Sequence, residues 1–128
     1  MNRNRNLTPP EADEQATLFS WAAMRTGKYP ELKLLYHVAN GGLRSKSEAA
    51  RFKSEGVKPG VPDICLPVAR GPYHGLYIEL KRQKGGKISE AQKKWLTELS
   101  LQGYLAMVAY GWKEASQIIE EYLDAKGV

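Results

Sequence analysis

The chain has 128 residues, 42% hydrophobic and 26% charged, which is enough for one packed core and ordinary for a folded protein. A formal charge of +5 and a pI near 9.3 favour a polyanionic partner. No apolar run approaches membrane-span length, residues 1–6 lack the apolar centre of a signal peptide, and the single cysteine, Cys65, excludes an internal disulfide and a multi-cysteine zinc site. An intracellular protein with no membrane partner is expected.

Residues 1–7 are polar and basic and are expected to form a flexible tail ahead of a single domain over 8–128. Thr8-Pro9-Pro10-Glu11 predicts a helix start, with Thr8 as N-cap, Pro9 at the first helical position and Glu11 completing a capping box. That helix runs to about Arg25, with Leu18, Phe19, Trp21 and Ala22 as its apolar side; Glu14, one turn before Leu18, can point inward. Leu32 to Ala39 predicts a first strand, closed by Asn40-Gly41-Gly42. A short polar helix follows over Ser45 to Glu55. Lys58-Pro59-Gly60-Val61-Pro62 is a rigid turn that delivers Asp63 to a second strand, Ile64 to Val68, and Gly75 to Arg82 is a third strand. Ser89 caps a helix from Glu90 to about Gln102, whose buried stripe is Trp95, Leu96 and Leu99, with Gln92 on the same stripe. Tyr104 to Tyr110 is a continuous apolar strand, and Lys113 to Ala125 a closing helix. The order predicts an α/β fold with a mixed sheet flanked by helices.

The chemistry lies in Gly60-Val61-Pro62-Asp63 and Leu76-Tyr77-Ile78-Glu79-Leu80-Lys81. Side chains alternate across a strand, so Glu79 and Lys81 share one face, about 6.5–7 Å apart, while Ile78 and Leu80 take the other. Two carboxylates and an ammonium converging at sheet ends suit a hard divalent cation and an attacking water. Each residue also has a plainer account. Asp63 can bond a backbone N–H of its own turn, and Glu79 with Lys81 can be a same-face ion pair. Glu14, with Glu11 and Asp13, suits a helix N-terminus through the macrodipole alone, and Gln92 can satisfy a neighbouring backbone. His37 lies in an apolar strand, where a satisfied core residue is expected, and His74 lies in a loop. Neither has a partner at metal spacing. Cys65 is expected to be a small buried hydrophobe.

Taken in order, the helix acid, Pro-Asp, Glu-x-Lys and helix Gln resemble the PD-(D/E)XK nuclease superfamily. Within it the chain looks most like the virus-type replication-repair nuclease (VRR-NUC) family, over residues 11 to about 110. The matching elements are Glu14, Asn40-Gly41-Gly42, Gly60-Val61-Pro62-Asp63, Glu79-Leu80-Lys81 and Ser89-Glu90-Ala91-Gln92-Lys93-Lys94-Trp95-Leu96. The chain resembles the compact stand-alone members found in phages and prophages, which would place it in a bacterial host cell.

The resemblance implies a restriction-endonuclease-like α-β-β-β-α-β core. It also implies that Asp63, Glu79 and the backbone carbonyl of Leu80 hold Mg²⁺ or Mn²⁺, with Glu14 reaching a second metal or a metal-bound water. Lys81 is expected to orient the water and stabilise transition-state charge, and Gln92 to hold Lys81 or the water. Asn40, Gly41, Arg44, Lys46, Arg82, Lys84 and Lys87 are the expected DNA contacts. The implied activity is structure-specific cleavage of branched DNA by a homodimer, four-way junctions ranking ahead of flaps or general nicking. Two rivals stand beside it: a nucleic-acid-binding module without catalysis, and a protein that only recruits a replication partner.

Overall fold

In the computed structural model, residues 8–39 and 45–125 are described. The expected DNA contacts Asn40, Gly41 and Arg44, and the tail over 1–7, lie outside them. The elements run α1 (Glu11–Arg25), a 3₁₀ turn (Pro30–Leu34), β1 (Tyr36–His37), α2 (Lys46–Ser54), β2 (Ile64–Leu66), β3 (Leu76–Lys81), α3 (Glu90–Leu101), β4 (Leu105–Tyr110) and α4 (Trp112–Asp124). The strands form one four-stranded sheet in the order β1-β2-β3-β4. The β1/β2 and β2/β3 pairs are antiparallel; β3/β4 is parallel, as a crossover through α3 requires. No helix among the described residues is long and apolar enough to cross a membrane.

The alternation in β3 divides the molecule. Leu76, Ile78 and Leu80 point to a core built with Leu18 and Ala22 of α1, Ala109 of β4, and Ala115, Ile119, Tyr122 and Leu123 of α4. Glu79 and Lys81 therefore take the opposite face. Cys65 is buried, as expected of a small hydrophobe.

Three local expectations are corrected. The run Leu32–Ala39 is not one strand: Leu32 and Leu35 are buried and Lys33 and Leu34 exposed. That three-residue spacing suits the 3₁₀ turn opened by Pro30, leaving only Tyr36 and His37 to pair with β2. His37 is correspondingly exposed and not a core residue; its Nδ1 lies 3.0 Å from the Asp63 carbonyl oxygen. Finally, α1 is N-capped by Pro10 without a side-chain hydrogen bond, in place of the Thr8 capping box, and the Pro10 carbonyl accepts from the N–H groups of Asp13 and Glu14 at 3.1 Å each. Glu11 is thereby released from capping.

The capping box does occur in α3. Ser89 Oγ accepts from Gln92 N–H at 3.1 Å, and Gln92 Oε1 accepts from Ser89 N–H at 2.8 Å. The expected buried stripe of this helix is only half-buried, because α3 packs mainly beside β4 and buries no residue completely. At its start α3 touches the turn before Asp63. Gly60 has φ +88°, and a Cβ there would stand 2.7 Å from the Ala91 backbone, so a bare glycine permits the approach.

Candidate active site

Asp63 immediately precedes β2, and the register Ile64↔Ile78 sets it beside Glu79 of the neighbouring strand. Asp63 Oδ2 accepts from the Leu80 N–H at 2.9 Å, which fixes the carboxylate against β3. Glu79 is only 1% exposed and Lys81 only 7%. Glu79 Oε2 accepts from Gln92 Nε2 at 3.1 Å and lies 3.6 Å from Lys81 Nζ. The capping box determines how Gln92 points. Its Oε1 is committed to Ser89 N–H, so its amide nitrogen must face Glu79.

Glu79 Oε1 is the exception. It is buried and finds no donor, a costly state for an ionised carboxylate oxygen that is relieved when the carboxyl is protonated beside Asp63. Burial first, then the adjoining Asp63 carboxyl, pushes the Glu79 carboxyl up from 4.5 to about 8; Lys81 pulls it down and Glu11 pushes it further up. The carboxyl is thus held largely neutral until something positive neutralises the ionised form.

Among the described residues, oxygens of Glu11, Asp63 and Glu79 all lie within 4.8 Å of one another. An all-oxygen set of this kind, one member carrying an orphaned buried oxygen, fits a hard divalent cation. The acid of α1 that stands within this cluster is Glu11. Its position in the first turn is equally accounted for by the helix dipole, which hid it in the sequence; the available signal was its place on the turn preceding Glu14.

Glu14, one turn on, has a different environment. It is 1% exposed, with Oε1 accepting from the Trp112 N–H and Oε2 from Gln83 Nε2, both at 2.9 Å. Gly111, the N-cap of α4, has no side chain to offer, so Glu14 supplies that cap from across the molecule. It also ties the segment after Lys81 to α1 and α4. Glu14→Ala is therefore expected to cost about 2–4 kcal/mol of stability, because it takes the acceptor from the part-buried Trp112 N–H and leaves a hole where the buried carboxylate stood. Glu11→Ala is expected to leave the melting temperature nearly unchanged while weakening divalent-metal binding by about tenfold or more, a loss of one anionic oxygen ligand. Thermal unfolding and calorimetric Mn²⁺ titration of both variants check this pair; metal binding lost only in a folded Glu14→Ala protein would reverse the assignment.

Of the expected DNA contacts, Lys46 on α2 and Lys84 and Lys87 after β3 are exposed. Arg82 is half-buried, and its Nη2 donates to the Thr8 carbonyl at 3.2 Å, anchoring the approach to α1.

The VRR-NUC domain family model matches residues 11–113. A solved structure described as a VRR_NUC domain protein is similar over 97% of this chain and 95% of its own, at 32% identity and a TM-score of 0.80. No curated protein matches the chain.

Proposed function

The chain belongs to the VRR-NUC domain family, and from that premise we propose that it is a metal-dependent endonuclease that hydrolyses phosphodiester bonds in branched DNA, four-way junctions above all. The family makes it a nuclease acting on DNA. The observation that supports metal dependence is the convergence of carboxylate oxygens of Glu11, Asp63 and the buried Glu79 within 4.8 Å of one another.

Glu11, Asp63 and Glu79 would hold Mg²⁺ or Mn²⁺, together with the Leu80 carbonyl. When bound, such an ion supplies Lewis acidity at the phosphate and a water of lowered pKa. The protein's own part is positioning. The Leu80 N–H sets the Asp63 carboxylate and the Gln92 amide sets that of Glu79. Lys81, nearly buried beside them, stabilises the negative charge that grows on the phosphoryl oxygens. Lys46, Lys84 and Lys87 bind the sugar-phosphate backbone. A two-fold junction cut on two strands calls for two such sites, which a homodimer supplies.

The test is cleavage of labelled four-way junction, flap and linear duplex DNA with Mg²⁺ or Mn²⁺. Paired symmetric nicks in the junction are expected. Cleavage confined to the flap would replace the junction by a flap substrate, and binding without cleavage under either metal would leave a binding module.

A further inference from the structure

A groove of about 400 Å³ lies between the Lys58–Pro59 turn and α3, lined by the apolar Pro59, Ala91 and Trp95 and the charged Lys58, Lys94 and Glu98. The volume falls within the range of small-molecule sites, ~300–1,000 Å³. Three features set it apart from a packing defect. Trp95 belongs neither to the buried core nor to the partly buried side chains packed on it. The aromatic pairs among the described residues, Tyr73–Tyr122, His74–Tyr104 and Tyr77–Tyr104, leave it out as well. The groove also exists because Gly60 lets the turn reach Ala91, so one wall leads directly to Asp63 and the other adjoins Gln92, which holds Glu79.

We propose that this groove seats an unpaired nucleobase of the substrate strand against the Trp95 indole. This rests on the nuclease reading above and adds a specificity residue to it. A base is a flat apolar ring with a phosphate on either side; Pro59, Ala91 and Trp95 match the ring, and Lys58 and Lys94 match the phosphates. Trp95 stands one helical turn from Gln92, whose amide holds Glu79, so the groove lies on the same helix face as the candidate site. A base inside an intact duplex is stacked and paired and cannot enter, so the groove selects DNA whose strand parts at the cleavage site.

The test is binding of fluorescein-labelled flap and junction DNA by the full chain without divalent cation, with each nucleotide around the branch replaced in turn by an abasic residue. One abasic position is expected to weaken wild-type binding about tenfold or more. Trp95→Leu should lose the same factor and make that abasic position silent, while Trp95→Phe keeps most of the affinity and the abasic penalty; binding to linear duplex changes little in any of them. A flat abasic scan, or a penalty that survives Trp95→Leu, overturns the proposal. So does a flat scan in which Trp95→Leu changes the oligomeric state in sedimentation, which would make the groove an interface between copies. If Trp95→Leu fails to fold, the wild-type scan and Trp95→Phe still decide. Absence of binding to any DNA would sink the nuclease reading itself, whereas binding with a flat scan sinks the groove alone.

Discussion

A Glu79→Gln protein is expected to cleave DNA about a thousandfold more slowly, or not at all, while matching or exceeding wild-type stability in metal-free solution. A thousandfold corresponds to roughly 4 kcal/mol of transition-state stabilisation, of the order that one preorganised electrostatic element supplies. The stability half follows from linkage. The unfolded chain gives up the Glu79 proton from about pH 4.5, whereas burial and the adjoining Asp63 hold it on the folded protein until about 8. Wild-type stability therefore falls as pH rises between those values and levels off above. A glutamine of the same shape does not titrate and can donate to Asp63, so the variant's advantage is absent below pH 4.5 and full by pH 8. Single-turnover cleavage and melting curves at pH 5 and 8 measure both halves. Retained cleavage, or a variant that melts equally far below wild type at both pH values, would refute the site.

This trade of stability for a charged site marks where the sequence is easiest and hardest to interpret. In β3 the pattern is unambiguous: Leu76, Ile78 and Leu80 alternate with Tyr77, Glu79 and Lys81, and a charged pair on one face of a buried strand needs an explanation. Ser89 was equally visible as a helix cap, although the capping box it forms with Gln92, which aims the Gln92 amide at Glu79, emerges only with the strand beside it. Leu32–Ala39 misled because an apolar run has no fixed period, and a proline at its head tipped it into a three-residue turn. The two helix glutamates show the deeper difficulty. Nothing local distinguishes a first-turn acid that serves the dipole from one that serves a cation. Glu14 is defined by Gln83 and Trp112, 69 and 98 residues away in the chain, and no spacing rule reaches that far. The first-turn pattern places both acids on one helix, and only tertiary packing sets Glu11 beside Asp63 and Glu79 and Glu14 beside Gln83 and Trp112.

Divalent-metal affinity is expected to rise about tenfold per pH unit from pH 6 to about 8 and then to level off. Ligation requires the ionised carboxylate. With the Glu79 carboxyl held up to about 8, each unit below that leaves a tenfold smaller ionised fraction. Binding should accordingly release about one proton per ion at pH 6–7 and almost none well above 8. Calorimetry in buffers of different ionisation enthalpy counts those protons. The neighbours supply controls of opposite sign. Glu11 pushes the Glu79 carboxyl up, so Glu11→Gln should move the break in the affinity curve to lower pH, even as it weakens binding throughout. Lys81 pulls it down, so Lys81→Met should move the break to higher pH. An affinity that stays flat from pH 6 to 8 would mean that Glu79 is already ionised in the metal-free protein. Lys81 would then already neutralise it in the metal-free protein, and the cation would bind without displacing a proton from Glu79.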